Sequence, residues 1–476
     1  MTYMRFHMKK RKKLILAATI CLAAAVLAAA VFFIIQYVKW NADWKRLRGE
    51  DYDTVFFSMY PTEYYAEEDY AHFRGMDIVK TSYGIPDTRI MEIYMDVAVK
   101  SGNTIHTAYL GIDPVKARTE DVFQIVLENP ATMFEIVLAY PQIEYWTAMT
   151  EEAYEQTLSA YRDLAGMVLG LENVRVYFFC NAEWLLCNPS NYTDTFSTNK
   201  EVSQLLMCNS DPEHFFILNV NNFHDRFNQA EALVEKYRNK PEEYPDASDW
   251  EIVFFGDSVI GNYTDSLSIP GVVNGLTGAA VYNCGYGGKC AALGESTREP
   301  LPMLVEALIK QEPGEIPADT QAYAGIEQFI QGEHSDKKRL FVINYGLNDY
   351  FRGVPVASED PEDITSYAGA VRVAVKALKE AFPEARILLT TPNLSINFEF
   401  GEGIQSEAGG KLQDYADAVI ALGAELEVEV LDNFREFPVQ KEKHWELLAD
   451  GTHPNEQGRF LMGIRIIDKL ADMMSD

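Results

Sequence analysis

The sequence predicts an α/β protein of two domains with mostly parallel sheets, preceded by one transmembrane helix. Three observations predict it. Short apolar runs alternate with helical patterns along most of the chain, as parallel sheets with crossover helices require. A polar stretch with two prolines, Asn239-Lys-Pro-Glu-Glu-Tyr-Pro-Asp-Ala-Ser248, divides the alternating pattern in two. Leu14 to Val38 runs 25 residues without a charge, enough to cross a bilayer as a helix.

At the amino end, Lys9-Lys-Arg-Lys-Lys13 precedes the apolar run. Basic residues on that side predict a cytoplasmic tail over 1–13 and a signal anchor over 14–38, with everything after Lys39 outside the cytoplasm. The run is longer than a signal-peptide core of about 7–15 residues. Ala28 to Ala30 offers a cleavage site, so a cleaved signal is the alternative. Ile20 stands where a lipid-attachment motif before Cys21 would need a small residue.

Residues 50–238 read as a first α/β domain. Its strand candidates are Thr54 to Phe57, Thr104 to Leu110, Phe134 to Ala139, Val174 to Cys180 and Phe215 to Val220. Helical patterns run from Glu152 to Leu171 and from His224 to Tyr237. Residues 239–248 are the linker. Residues 249–476 form the second domain, with strands at Glu251 to Phe255, Ala280 to Asn283, Leu340 to Tyr345, Arg386 to Thr390 and Glu427 to Asp432. Its helices are Leu301 to Gln311, Ser366 to Phe382, Lys411 to Leu422 and Glu456 to Met473. Residues 312–337 are polar, an edge decoration or a lid.

Composition narrows the function. The chain has 476 residues, 47% hydrophobic, and a formal charge of −30. Such acidity excludes nucleic acid as the expected partner. The six cysteines fit no zinc spacing, and packing thiols are the expectation. No phosphate loop, metal cluster or dinucleotide fingerprint appears, so no cofactor and no metal are expected. Asn191, Asn262 and Asn393 open glycosylation sequons by pattern. Tyr145, Trp146, Trp184 and Trp445 are aromatics able to stack on sugars, with core packing the ordinary alternative.

Four blocks carry the chemistry. Gly256-Asp257-Ser258 follows the buried run Ile252 to Phe255. Asn283-Cys-Gly-Tyr-Gly-Gly288, Gly346-Leu-Asn348-Asp349 and Asp450-Gly-Thr-His453-Pro454 come after it in that order. A serine past such a strand lies at the carboxyl end of a sheet, where open α/β sheets place their ligands. A serine hydroxyl needs a base, and an imidazole titrating near neutrality suits that task. Asp450, three residues before His453, can fix the ring's tautomer. Asp257 is expected to hold its loop.

In order and spacing these blocks resemble the SGNH (GDSL-type) hydrolase family of serine esterases and acyltransferases, over about residues 249–476. The resemblance implies a catalytic set of Ser258, Asp450 and His453. It also implies an oxyanion hole made by the Ser258 and Gly288 N–H groups and the Asn348 amide. It further implies flavodoxin-like three-layer α/β/α domains. With the topology, it suggests an esterase that removes O-acyl groups, O-acetyl above all, from small-molecule or cell-surface glycan esters. An O-acyltransferase working with a membrane-bound acyl-transfer partner is the alternative, and a non-catalytic binding scaffold another.

The two halves resemble each other weakly. Asp53-Thr-Val-Phe-Phe57 parallels Glu251-Ile-Val-Phe-Phe255, Ser82 to Asp87 parallels Asn283 to Gly288, and Asn173 to Phe178 parallels Glu384 to Leu389. The first half lacks every site residue. It has Ser58-Met59-Tyr60 after its first strand, Asp87 in place of Gly288, no Gly-x-Asn-Asp after Ala139, and Asn221-Asn-Phe-His224 without an Asp-x-x-His. A degenerate, non-catalytic copy is the expectation.

Overall fold

The protein is described from a computed structural model. The structure describes residues 52–58, 78–80 and 105–475, apart from 116–118, 196, 209–215, 240–243, 296 and 397–409. The expected span at 14–38 and the Ser82 to Asp87 match lie outside the described residues. Among the described residues, no helix is long and apolar enough to cross a membrane.

The chain forms two compact units. The first holds the described residues up to Tyr140, then Ala148–Asn181 and Ser203–Ala230. The second holds Pro141–Thr147, Ala182–Val202 and Glu231–Asp476. Two stretches that precede the 239–248 segment therefore belong to the second unit. Hydrogen bonds hold the later of the two in that unit. Asn188 donates to the Ser266 carbonyl at 3.1 Å, and Asn199 to the Ser266 hydroxyl at 3.0 Å. Trp184 N–H donates to Gln457 Oε1 at 3.3 Å. A single polar segment in the sequence marks where the chain passes between units, not every return to one.

In the first unit the sheet is β1 (Tyr52–Ser58), β2 (Ile78–Lys80), β3 (Ile105–Ile112), β4 (Met133–Leu138), β5 (Val174–Tyr177) and β6 (Ile217–Leu218), in the order β2-β1-β3-β4-β5-β6. All pairs are parallel except β5 with β6. Helices α1 (Thr119–Glu128) and α2 (Glu151–Val168) pack on one another. Thr150 caps α2 by accepting from Ala153 N–H at 3.3 Å. Helix α3 (Phe223–Asn239) follows β6.

The second unit has β7 (Trp250–Gly256), β8 (Ala280–Asn283), β9 (Lys338–Asn344), β10 (Arg386–Thr390) and β11 (Glu429–Leu431), all parallel, in the order β11-β10-β9-β7-β8. Every residue of β7 is buried, as its apolar run demands of a central parallel strand. Its one charge, Glu251, pairs with Arg339, its register partner on β9. His334 sets Nδ1 against the Glu251 carboxylate and Nε2 against the Phe329 carbonyl.

Helices α4 (Ile269–Thr277), α5 (Leu301–Lys310), α6 (Gln321–Gln331), α7 (Tyr367–Ala381), α8 (Leu412–Leu426) and α9 (Glu456–Ser475) cover this sheet. The chain moves one way from β7 to β8 and the other way afterwards. Right-handed crossovers then place α4 on one face and α5 to α8 on the other. The packing agrees: α4 pairs with α9, while α5, α6, α7 and α8 pack among themselves. Helix α6 settles the 312–337 question in favour of edge decoration. It packs on the edge strand β8, and a Cβ on Gly325 would lie 2.0 Å from the Asn283 carbonyl. Covering an exposed strand edge is a standard protection.

Strand order revises the internal match. Arg386–Thr390 is the fourth strand of its unit, but Val174–Tyr177 is the fifth of the other. The third strands are β3 and β9, so the counterpart of Gly346 to Asp349 follows Ile112, where Asp113 stands, and not Ala139. Alternating apolar runs look alike, and only hydrogen-bonded order counts them correctly.

Candidate active site

The site forms at the carboxyl ends of β7, β8 and β9 with the loop before α9. Gly256 ends β7 because nothing larger fits: a Cβ there would lie 2.4 Å from Ile260 Cγ1 and 2.9 Å from the Asn344 carbonyl. Asp257 caps the helical turn Ser258–Gly261, accepting from Val259 N–H at 3.0 Å. Capping fixes Ser258 at the first position of that turn.

The Asn283 to Gly288 block lies on this turn backbone to backbone. A Cβ on Gly285 would lie 2.6 Å from the Gly261 nitrogen. Asn283 donates to the carbonyls of Ile260 and Tyr263, each at 3.0 Å, and accepts from Gly285 N–H at 3.0 Å. Gly288 has φ of +75°, and open space where a Cβ would be. Only glycine holds that backbone without strain.

The third block starts at Gly346, φ +125°, and forms the turn Leu347–Phe351. Asp349 is wholly buried and accepts from Ala291 N–H at 3.0 Å and Ala292 N–H at 3.2 Å, tying the Asn348 turn to the Gly288 loop. Arg352 makes a second tie, donating to the Gly288 carbonyl at 2.8 Å.

The fourth block brings an imidazole to the serine. His453 Nε2 lies 2.9 Å from Ser258 Oγ, across 195 residues of sequence. His453 Nδ1 lies 2.8 Å from Asp450 Oδ2. Asp450 Oδ1 accepts from Thr452 N–H at 3.0 Å and His453 N–H at 2.8 Å. Burial raises the Asp450 carboxyl, but these donors and the His453 ring outweigh it and hold it below the usual carboxylate range. Ionised Asp450 keeps the proton on Nδ1, leaving the Nε2 lone pair for the serine hydroxyl.

Ser258, Asp450 and His453 are thus brought together, and the Gly288 loop and the Asn348 turn are joined beside the Ser258 turn. Three further residues support the site without having been legible as supports in the sequence. Arg459 is 1% exposed, stacks 3.6 Å over the Tyr263 ring, and donates to the carbonyls of Leu267 and Pro454. It fastens the His453 loop to the Ser258 loop. Asn393 donates to the Thr452 carbonyl at 2.9 Å from a fully buried position. Arg352 is the third. Burial also removes Asn393 and Asn191 as glycosylation acceptors, leaving Asn262 exposed. Trp146 and Trp184 are core, whereas Trp445 is 46% exposed beside the His453 loop. Cys180, Cys187, Cys284 and Cys290 are buried free thiols, and burial pushes Cys290 up to about 12.

Two carboxylates under the site carry a pH signature. Burial raises Asp257 to about 6 despite its hydrogen bonds, and raises Asp349 to about 7, with the Asp257 charge adding to the rise. Folded Asp349 therefore keeps its proton above the pH where the unfolded chain releases it. Its contribution is intact below about pH 4 and is lost as pH rises through about 7, a cost of about 4 kcal/mol. Urea unfolding at several pH values is expected to show wild type losing stability over this window. Asp349→Asn, weaker throughout from its lost acceptor, is expected to show a flatter profile.

Residues 254–459 match the model of the GDSL-like lipase/acylhydrolase family. Among solved structures, an aryl esterase of M. smegmatis is 16% identical, covering 47% of this chain and 99% of its own, with a TM-score of 0.32. A protein from Lactobacillus plantarum is 17% identical, covering 47% of this chain and 97% of its own, at 0.36. A salicylyl-acyltransferase from a tetracycline biosynthetic pathway is 16% identical, covering 47% of this chain and 54% of its own, at 0.32. No curated protein matches the chain. Residues 254–459 are a GDSL-like lipase/acylhydrolase domain, and the protein is a serine hydrolase acting on ester bonds.

Proposed function

We propose that Ser258, His453 and Asp450 are the catalytic triad of an O-acyl esterase, most simply an O-acetyl esterase acting on surface carbohydrate. The observation that carries it is the unbroken relay from Ser258 Oγ through both His453 nitrogens to Asp450. His453 Nε2 takes the hydroxyl proton as Oγ attacks the ester carbonyl carbon. The negative charge passes to the carbonyl oxygen, facing the Ser258 and Gly288 N–H groups and the Asn348 amide. Collapse of the tetrahedral intermediate breaks the C–O bond, and the leaving alkoxide takes the proton from His453. Water then repeats the sequence on the acyl-enzyme, releasing the acid and free Ser258.

Asn348→Ala is expected to lower kcat by about 10²–10³ with little change in KM, since the oxyanion exists only after attack. Steady-state kinetics on p-nitrophenyl acetate, with circular dichroism as the folding control, checks it.

Under this reading the 14–38 segment anchors the chain and leaves the enzyme outside the cytoplasm. The shared 2-1-3-4-5 strand order and the two helix sets support flavodoxin-like three-layer domains. The same order supports the first unit as a non-catalytic relative of the second. Transfer of the acyl group to a sugar hydroxyl would use the same residues, with the acceptor replacing water.

A further inference from the structure

A cleft of about 410 Å³ opens among α4, β8 and α6 and shares Asn283 with the site. Its size falls in the range of roughly 300–1,000 Å³ usual for small-molecule sites. Its chemistry does not match theirs. Ordinary sites are mostly apolar, but this lining carries hydroxyls and amides, one carboxylate, no basic group and no aromatic ring.

Several of these groups are unspent. Thr264 and Gln328 make no side-chain hydrogen bond among the described residues. Asp265 uses one oxygen to accept from Leu267 N–H at 2.9 Å, leaving the other. Gln321 donates to the Asn283 carbonyl at 3.0 Å, leaving its own oxygen. Asn274 donates to the Ala279 carbonyl at 2.8 Å and likewise keeps its oxygen. A ligand dense in neutral hydroxyls meets this array, whereas an anion would meet Asp265 with no cation to balance it. An extended peptide fits poorly, because Gln321 already occupies the Asn283 carbonyl that strand addition would use.

The cleft is also coupled to the chemistry. Asn283 lines it, and the amide of the same residue holds the carbonyls of Ile260 and Tyr263 in the segment that carries Ser258. Thr264 is six residues past the nucleophile in the same segment.

We propose that this cleft is a subsite for neutral carbohydrate, holding sugar units of a polymeric substrate next to the one whose ester meets Ser258. The proposal deepens the esterase reading and rests on it for the acylated substrate.

Calorimetric titration of the full chain with xylohexaose, cellohexaose and N-acetylchitohexaose tests binding, beside a Thr264→Val/Gln328→Ala double variant. At least one hexasaccharide is expected to bind, and the variant to bind it at least about tenfold more weakly through two lost hydrogen-bonding groups. On an acetylated form of that sugar the variant should show a raised KM at unchanged kcat, with p-nitrophenyl acetate hydrolysis unchanged. Failure of all three sugars to bind wild type would overturn the subsite, as would equal binding by the variant or displacement of the sugar by an extended peptide. Hydrolysis of p-nitrophenyl acetate through Ser258 without sugar binding leaves the esterase standing and removes the subsite. Sugar binding lost in the variant, with no Ser258-dependent hydrolysis, keeps the subsite and removes the esterase reading.

Discussion

Ser258→Ala is expected to lower kcat/KM for p-nitrophenyl acetate by about 10⁴ or more, measured on the full chain beside wild type. The covalent route ends with the hydroxyl, and what remains is attack by water assisted only by the oxyanion donors. The change removes one oxygen at the first position of a helical turn whose cap is the Asp257 side chain, so the fold should persist. An equal melting temperature in the two proteins checks that. A variant retaining a tenth of wild-type activity would sink the assignment of Ser258. Residual hydrolysis that disappeared on adding His224→Ala would instead place a second active centre in the first unit.

Asp450→Asn is expected to cost about 10⁴ in kcat at neutral pH, the scale seen when a triad carboxylate becomes an amide. The reason is tautomeric. Asp450 Oδ1 accepts from Thr452 and His453 N–H, and an asparagine oxygen can keep both bonds. Its amide nitrogen then faces His453 Nδ1, where the carboxylate oxygen had been. That favours the proton on Nε2, the nitrogen 2.9 Å from Ser258 Oγ, and a protonated Nε2 cannot accept the serine's proton. Substrate binding should be nearly unchanged, because the side chain at 450 meets His453 at Nδ1, across the ring from the nitrogen that faces Ser258. The measurement is kcat and KM separately, with ¹⁵N spectra of the histidines reporting the tautomer. A loss confined to KM would show Asp450 to be a binding residue.

The reading of the four blocks came from residue type and order, and the geometry brings Ser258, His453 and Asp450 into one relay. Each block is local. A strand end needs its apolar run, a tight turn its glycine, and a proton relay its Asp-x-x-His spacing. These demands fall on neighbouring residues, so a sequence shows them. The glycine at 288 was legible for the same reason, since φ of +75° there leaves little choice of residue.

Arg459, Asn393, Arg352 and Asp349 were not legible as supports. Each acts on a loop brought near by folding: Arg459 on Leu267 across 192 residues, Asn393 on Thr452 across 59, Arg352 on Gly288 across 64 and Asp349 on Ala291 across 58. An arginine on a helix looks like a solvated side chain until the helix is packed, and a sequon asparagine looks exposed until it is found buried. Two pairings of the internal match shifted for a related reason, because hydrogen-bonded neighbours, not run order, say which strand is third and which is fourth.

The sequence by itself determined the α/β class, the strands of the second unit and the residue types of the relay, because these follow from local periodicity and backbone demand. Tertiary structure alone decided which segments share a unit, how the Ser258 and His453 loops are fastened, and that a polar cleft shares Asn283 with the Ser258 turn. Those depend on side chains meeting from positions that no spacing in the chain relates.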